Sequence, residues 1–484
     1  MSERYRYIIG SDIGTGSAKT IGLGMNGQVL SSWKEAYPTA HPAPGFSEQD
    51  PDRILKAVMT GIRAVIQQVG HPPAAISFSS AMHSFMAIDA AGAPLTPLII
   101  WADNRSQLLA EALRATPAGA AIYHSTGTPV HAMSPLSKAI WLQKEQPSVF
   151  AAAKLFIGIK EYIIHHLTGE YLVDHSIASA TGLFDIHTLQ WSVPALEAAG
   201  LQVQRLPQPV PADHIISRLK SAIAKELGIP PDTPLVMGGS DGCLAQLGSA
   251  AMDAGHATLT IGTSGAVRMA IPGAVTDPQA RLFTYLLTDD VYIMGGATNN
   301  GGVVLQWLLR DFLQQPPENT DRLINEALAL PPDGLLCLPY LLGERAPIWD
   351  SGATAAFIGI QPQHRAPHFT RAVLEGTCFA LLNIKNALQE TAGEVRKISV
   401  SGGFTHSPAW IQLLADIFGQ PMTLQQQSDA SALGAIILAA SALKMPPIAG
   451  LASAKEKLFQ PDMRLHEIYR PKFDRFRRLS YSGL

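Results

Sequence analysis

The sequence predicts a two-domain α/β protein, and three observations carry this prediction. The chain has 484 residues, which is too long for one ordinary hydrophobic core. Short apolar segments with glycine-rich turns alternate with amphipathic helical patterns along its length. A string at residues 12–18 is echoed at residues 260–266, which indicates a repeated unit at the head of each half.

The first elements are predicted to form a hairpin followed by a helix. The segment Tyr7–Lys19 is typical of a β-strand that ends in an acid, Asp12, and a glycine-rich turn. The strand pattern resumes at Thr20–Leu23, and Gln28–Trp33 is predicted to return antiparallel. Apolar residues then recur at helical spacing in Pro51–Val69, which predicts an amphipathic helix.

The same alternation continues further along the chain. Strands are predicted at Ala75–Ser79 and Ala87–Asp89. Helices are predicted at Ser134–Gln143 and Glu161–Leu167.

The repeat indicates a duplication. Thr260–Ala266 is similar to Asp12–Ala18, and a duplicated unit would give domains 1–248 and 249–484. Only the first copy keeps the acid, because Thr260 stands where Asp12 stands, so a metal-linked role can belong to one loop only. The alternative is a chance likeness of short Gly, Thr and Ser strings.

Composition and charge argue against several partners. The 47% hydrophobic and 15% charged residues, with 41 Gly and 35 Pro, are typical of a compact enzyme. A formal net charge of −3 offers no basic surface, so no nucleic-acid partner is expected. The three cysteines have neither a close pair nor metal-ligand spacing, which favours a reducing compartment.

No membrane partner is expected either. Met1–Gly10 lacks the long apolar region of a signal peptide. The longest apolar run, Leu433–Leu443, is interrupted by Ser441 and is too short to span a bilayer. The sequence therefore predicts a cytoplasmic protein.

Two loops have the composition that phosphate binding requires. Gly14–Ser17 and Gly262–Gly265 are made of small residues, so backbone N–H groups could approach phosphoryl oxygens closely. Neither loop matches the G-x-x-x-x-G-K-[ST] or G-x-G-x-x-G fingerprints. A third glycine string, Gly402-Gly403, lies between a predicted strand and the predicted helix Pro408–Phe418, whose N-terminus could face an anion or a purine. Ordinary turns remain the alternative for all three.

Asp241 follows the apolar segment Pro234–Met237 inside a glycine-rich turn. An aspartate in a narrow, dry site can accept the proton of a hydroxyl group that is being phosphorylated. The alternative is that Asp241 caps the helix predicted to begin near Cys243.

Two further strings concentrate polar side chains after apolar runs. One contains Met82 and His83, and the other contains Trp101, Asp103 and Arg105. Dense directional donors and acceptors are what a polyol pocket needs, and His83 or Arg105 could also meet a carboxylate. A surface ion pair between Asp103 and Arg105 is the alternative.

In their order along the chain, these motifs resemble those of the FGGY carbohydrate kinases, from Tyr7 to about Leu443. The Asp12 loop resembles the family's first phosphate motif, the loop at residues 262–264 its second, and Gly402-Gly403 its adenosine motif. The most specific match is to the carboxyl-side signature, at residues 355–360 and 368–376. The amino-side signature resembles residues 133–138, although Ala139 stands where a larger apolar residue is usual.

The resemblance implies an α/β fold of two ribonuclease-H-like (actin-like ATPase) domains with the active site in the cleft between them. It implies ATP held mainly by the second domain, a sugar or sugar acid held mainly by the first, and a possible homodimer. It also implies that Asp241 is the catalytic base and that Asp12 acts through Mg²⁺. The implied nucleotide-binding residues are Thr15, Gly16, Ser17, Lys19, Gly262, Thr263, Gly302, Gln306, Gly402 and Gly403. Lys19 stands where relatives often have Arg, and its ammonium lacks the planar fork of a guanidinium.

The resemblance also bears on the sugar. The implied contacts are Met82, His83, Trp101, Asp103, Arg105 and Asp241. Met82-His83 matches xylulose kinases and not the Arg-Glu of glycerol kinases. With residues 101–106 and 299–302 it is most similar to gluconate kinases, which implies phosphorylation of D-gluconate to 6-phospho-D-gluconate. A xylulose or other pentulose kinase is the alternative, and an actin-like ATPase without a sugar substrate is a remote one.

Overall fold

The computed structural model describes residues 6–425, 429–450 and 456–481. Its strands are β1 Tyr7–Ile13, β2 Ser17–Gly24, β3 Val29–Ala36, β4 Glu48–Gln49, β5 Ala75–Ser80, β6 Met86–Ile88, β7 Leu98–Ile99, β8 Leu155–Ile157, β9 Leu172–Asp174, β10 Phe184–Asp185, β11 Gln190–Trp191, β12 Gln208–Val210, β13 Ile215–Ile216, β14 Leu235–Ser240, β15 His256–Ile261, β16 Gly265–Pro272, β17 Phe283–Thr288, β18 Val291–Thr298, β19 Leu336–Leu338, β20 Ala356–Ile358, β21 Lys397–Ser401, β22 Met422–Gln425 and β23 Glu456–Phe459. Its α-helices are α1 Pro51–Val69, α2 Gln107–Arg114, α3 Pro117–Thr126, α4 Pro135–Glu145, α5 Pro147–Ala152, α6 Ile159–Thr168, α7 His175–Ser179, α8 Val193–Ala199, α9 Ser221–Leu227, α10 Asp241–Gly248, α11 Gly302–Gln306, α12 Thr320–Ala329, α13 Ala366–Ala392, α14 Pro408–Phe418, α15 Ala430–Ala442 and α16 Met463–Tyr481.

Two large sheets share one topology. The first has the order β13-β14-β5-β1-β2-β3, and the second has the order β17-β18-β16-β15-β21-β22-β23. In each sheet an antiparallel hairpin, β1-β2 or β15-β16, continues into a third antiparallel strand. On the other side of the hairpin lie two parallel strands, β5 and β14 or β21 and β22. The repeated hairpins are the two copies of the string that the sequence repeats.

The predicted helix Pro51–Val69 is confirmed and is bounded by clear signals. Asp50 precedes it, and the Asp50 carboxylate accepts hydrogen bonds from the backbone N–H groups of Asp52 and Arg53. Gly70 ends it with a left-handed backbone, φ 84°. The predicted helix Pro408–Phe418 is also confirmed, and the other strands and helices predicted above are found with ends shifted by a few residues.

Helices cover both faces of each sheet. On the first sheet, Ile54, Val58 and Ile62 of α1 pack with Ile9 and Phe78. The opposite face of that sheet packs against residues of α15, which are Ala432, Leu433, Ile436, Ala439 and Ala440. The helix α15 belongs to the predicted second domain but covers the sheet of the first, so the domain ranges 1–248 and 249–484 stay a prediction.

The helices α10 and α15 cross with their backbones in contact. A Cβ atom on Gly248 would lie 1.9 Å from the carbonyl oxygen of Ala430, and one on Gly434 would lie 2.0 Å from that of Leu244. Real Cβ atoms do not approach an oxygen so closely, so both positions require glycine. Cys243 and Leu244 of α10 also pack with Ala435 and the inner face of the second sheet, so this helix pair connects the two sheets.

In the part of the chain that the structure describes, no helix combines the length and apolar character needed to cross a bilayer.

We expect Gly434→Ala to destabilise the protein by about 1–3 kcal/mol, because the new methyl group meets a backbone carbonyl that cannot turn away. The intrinsic preference of a helix for alanine, about 1 kcal/mol, acts in the opposite direction and does not offset the clash. The measurement is urea unfolding. Gly334→Ala is the matched control, because a Cβ atom there meets nothing within 4 Å. Equal stability of the two variants would contradict a tight crossing.

Candidate functional site

A pocket of about 170 Å³ lies between the two sheets. It collects side chains from the β1-β2 loop, the segment after β5, the start of α10 and strands β16 to β18. Its lining residues are Thr15, Ala81, Met82, His83, Trp101, Met133, Asp241, Ser264, Gly265, Ala266, Arg268, Phe283, Tyr285, Ala297, Arg345 and Trp349. The sequence-predicted residues Thr15, Met82, His83, Trp101 and Asp241 are therefore brought together from distant parts of the chain.

Asp241 is the first residue of α10 and points into this pocket. The predicted alternative that Asp241 caps the helix is wrong, because the Ser240 hydroxyl accepts the capping hydrogen bond from the Cys243 N–H. The register between β14 and β5 shifts before Asp241, at a bulge that includes Gly238 with φ 71°. A Cβ atom on Gly238 would lie 1.9 Å from the Phe78 carbonyl oxygen, so only glycine allows this turn.

The Asp241 carboxylate is tuned towards accepting a proton. Burial raises its pKa to about 6, and the nearby Asp12 carboxylate adds to the rise. Arg268 and a hydrogen bond from the Gly242 N–H, 2.7 Å long, act in the opposite direction. A carboxylate with a pKa near 6 is a stronger base than an exposed aspartate and is still largely ionised at neutral pH.

Asp12 lies near the end of β1 and accepts a 2.7 Å hydrogen bond from the Ser79 hydroxyl. Burial raises the pKa of the Asp12 carboxyl, and Asp429 adds to the rise. Within the described residues no group of three or more His, Cys, Asp or Glu side chains is arranged to hold a metal ion. A single carboxylate such as Asp12 fits a Mg²⁺ ion that keeps most of its water, which is how Mg²⁺ is usually bound.

The first predicted phosphate loop turns tightly between β1 and β2. The Gly14 N–H donates to the Ser17 carbonyl, and no atom lies within 4 Å of a Cβ on Gly16, so the loop surface is open. The Thr15 hydroxyl accepts a 2.9 Å hydrogen bond from the Trp101 indole. Lys19 forms an ion pair with Asp429, so its ammonium is already partnered.

The second predicted phosphate loop borders a separate cleft of about 250 Å³. Five of the predicted nucleotide residues line this cleft: Gly262, Thr263, Gly302, Gln306 and Gly403. The backbone N–H of Gly302 donates to the Gly262 carbonyl at 2.7 Å, which fixes the loop against the start of α11. Gly402 adjoins the cleft with φ 102°, and a Cβ atom there would lie 2.4 Å from the Ile261 carbonyl oxygen.

The loop at residues 262–265 separates the two cavities. Gly262 and Thr263 line the cleft of about 250 Å³, whereas Ser264 and Gly265 line the pocket that holds Asp241.

His83 is held as a neutral ring. Its Nδ1–H donates to the Ala180 carbonyl at 2.7 Å, which leaves Nε2 as an acceptor for a ligand. Burial lowers the pKa of His83 to about 3, and the Lys138 ammonium adds to the effect. His83 therefore serves as a hydrogen-bonding group at neutral pH and not as a cation.

Asp103 and Arg105 are not among the described residues that line the pocket. The Arg105 guanidinium donates to Asp103 and to Glu48 at 2.5–2.9 Å and lies over the Phe46 ring, with its side chain 4% exposed. The expected substrate contacts of both residues are thus not supported. Their ion pair matches the alternative considered above, but it is buried and not on the surface.

Sequence reasoning assigned no role to four residues at this site. Lys138 is fully buried and donates to the backbone carbonyls of His83 and Met133, so it fixes two walls of the pocket. Tyr285, Arg268 and Arg345 line the pocket directly. The one available signal for Arg268 was its position as the only charge in the apolar segment that forms β16.

Comparison with known proteins agrees with this geometry. The model of the FGGY family of carbohydrate kinases, N-terminal domain, matches residues 7–248, and the C-terminal domain model matches residues 257–443. The gluconokinase of Bacillus subtilis (strain 168) is 41% identical over 446 residues, which cover 89% of this chain and 86% of the relative.

Two solved structures cover 99% of this chain and 99% of their own, each at 34% identity. They are a gluconate kinase from Lactobacillus acidophilus, with a TM-score of 0.93, and a ligand-bound xylulose kinase from the same organism, with a TM-score of 0.92. The chain has their two-domain α/β fold, consistent with the actin-like ATPase architecture. The chain therefore belongs to the FGGY family of carbohydrate kinases, which use ATP to phosphorylate small sugar substrates.

Proposed function

We propose that this kinase phosphorylates the terminal hydroxyl of D-gluconate and releases 6-phospho-D-gluconate and ADP. The observation that carries the proposal is the position of Asp241, which lines a pocket of about 170 Å³ that the loop at residues 262–265 separates from a cleft of about 250 Å³. The likeness to gluconokinases over most of the chain favours gluconate among the possible sugars. The use of ATP and the three buried free cysteines support a cytoplasmic location.

Asp241 acts as the general base in this proposal. It takes the proton from the O6 hydroxyl of gluconate while O6 attacks the γ-phosphorus of ATP. The bond between the γ-phosphorus and its bridging oxygen breaks, and ADP leaves. The raised pKa of Asp241 matches this task, because the carboxylate must be ionised before the transfer and must hold the proton afterwards.

The two loops act by positioning and by charge stabilisation. In this proposal Thr15, Gly16, Ser17 and the backbone of residues 262–263 hold the phosphoryl groups, while Gly302, Gln306, Gly402 and Gly403 hold the nucleoside. Lys19 contributes its charge next to Asp429 rather than a direct bidentate contact. Asp12 holds Mg²⁺, directly or through water, and the ion would neutralise charge on the phosphates.

Phosphorylation of D-xylulose is the second candidate, because a xylulose kinase structure is similar over the whole chain. ADP release from MgATP should be measured with gluconate, xylulose, ribulose, glycerol and no sugar. We expect turnover with gluconate to exceed all the others. Turnover with xylulose alone would make xylulose the substrate in place of gluconate, and the protein would still be a sugar kinase. Turnover without any sugar would favour an actin-like ATPase.

We expect Asp241→Asn to lower kcat by about 10²- to 10⁴-fold, because the amide cannot accept the proton. ATP binding, followed by calorimetry, should be unchanged because the cleft is lined by other residues. Asp213→Asn, at an exposed position, is the matched control and should keep wild-type rates. Full activity of the Asp241 variant would exclude the general-base role.

The pH profile provides an independent prediction. Because burial raises the pKa of Asp241 to about 6, the ionised base is present above that pH and is lost as the pH falls through it. We expect kcat/KM for gluconate to fall about tenfold per pH unit below this value. Thermal unfolding at each pH is the control that separates titration from loss of the fold. A rate that stays flat down to pH 4.5 or so would contradict a buried base with a raised pKa.

A further inference from the structure

Arg268 is an isolated charge on the inner face of β16. Its neighbours on that face, Ala266 and Ala270, pack with Phe283 and Tyr285 in an apolar cluster. Because an arginine is costly to place among apolar side chains, its position in such a strand needs a reason. The surroundings supply one, because the side chain reaches the pocket that holds Asp241.

Two glycines make room for Arg268. A Cβ atom on Gly242 would lie 3.0 Å from Arg268 Nε, and one on Gly295, its cross-strand partner, would lie 3.1 Å from Arg268 Cγ. The guanidinium is thus enclosed between α10 and β18. Its Nε is buried and has no hydrogen-bond partner within residues 6–425, 429–450 and 456–481.

Arg345 approaches the same pocket from the other side. It is 8% exposed, its guanidinium carbon lies 5.0 Å from the centre of the Trp101 ring, and one Nη donates to the Thr298 carbonyl. Burial lowers its pKa to about 10, so it stays cationic at neutral pH. Its Nε and the hydroxyl of Tyr285 also lack hydrogen-bond partners among the described residues.

Among the described residues that line the pocket itself, cations outnumber carboxylates, although the Asp12 carboxylate is close enough to Asp241 to raise its pKa. Arg268 and Arg345 are cations, and Asp241 is the one carboxylate among the described lining residues. His83 is neutral because burial lowers its pKa. Glu344 is turned away, since it accepts hydrogen bonds from Thr298 and Asn300. A substrate that carries a negative charge would balance the second arginine.

We propose that Arg268 and Arg345 bind the carboxylate of a sugar-acid substrate, with the Tyr285 hydroxyl as a further donor. This inference rests on the proposed function. It assigns recognition of the substrate carboxylate to Arg268 and Arg345 and not to Arg105. A guanidinium matches a carboxylate with two parallel N–H groups. A neutral sugar would leave the same donors unpaired in a desolvated site. The two arginines therefore discriminate against neutral sugars in addition to binding sugar acids.

The test compares D-gluconate with D-glucitol, which has the same carbon chain but a hydroxymethyl group in place of the carboxylate. For Arg268→Gln and for Arg345→Gln we expect kcat/KM for gluconate to fall about 10- to 100-fold, mainly through KM. The preference for gluconate over glucitol should shrink by a similar factor, and KM for ATP should stay unchanged. Arg63→Gln is the matched control, because this arginine of α1 is half-exposed, pairs with Glu226 and does not line the pocket.

Two further measurements guard against a folding defect. Arg268→Lys keeps the charge without the planar fork and should retain part of the preference. Calorimetric titration of gluconate into wild type and into each glutamine variant gives affinity without turnover, and thermal unfolding identifies any variant that is misfolded.

The outcomes separate the inference from the proposed function. In one outcome the wild type turns over gluconate while the glutamine variants keep the same KM and affinity for it. That result would overturn the carboxylate site but leave the proposed function in place. The variants could instead lose kcat equally for gluconate and glucitol, with KM unchanged. That result would assign the arginines to the transferred phosphoryl group and would also overturn the carboxylate site. Wild type that phosphorylates xylulose and neither binds nor phosphorylates gluconate would end both.

Discussion

The contact on which the site depends is the crossing of α10 and α15, where backbone meets backbone. Gly248 and Gly434 let the two helices approach so closely that carbonyl oxygens occupy the space of absent side chains. The helix α10 begins with Asp241, and α15 begins beside Asp429, the partner of Lys19. The crossing therefore sets the distance between the carboxylate and the first phosphate loop, because neither helix can shift along the other without a steric clash.

Around this crossing, carboxylates and arginines have opposite effects on the pKa of Asp241. Asp12 and Asp241 are two buried carboxylates, and Asp12 raises the pKa of Asp241, while Arg268 lowers it. Without Arg268 the pKa of Asp241 would be higher, whereas a site that held only the arginines would repel Mg²⁺. The observed combination of charges keeps the pKa of Asp241 in a range where the carboxyl group can both accept and release a proton.

The local features of this protein were predictable from sequence, and the non-local ones were not. The helix Pro51–Val69 carries its own cap, apolar face and terminating glycine, so its limits follow from neighbouring residues. The predicted phosphate loops and Asp241 were singled out because their order along the chain resembles that of the FGGY family. Arg345 gave no such signal, because only the tertiary fold brings it to Trp101. The sequence also could not show whether the Arg105 side chain enters the pocket. In the structure it pairs with Glu48 of a neighbouring strand instead.

The hydrogen bond from the Trp101 indole to the Thr15 hydroxyl joins a wall of the pocket that holds Asp241 to the first predicted phosphate loop. This link limits how the enzyme could be re-engineered for other substrates. Enlarging the pocket by replacing Trp101 would also release the Thr15 side chain and remove the ring over which Arg345 lies. A change intended to enlarge the pocket would therefore also disturb the first predicted phosphate loop. Met82 and Ala297 offer lining positions without such a connection among the described residues.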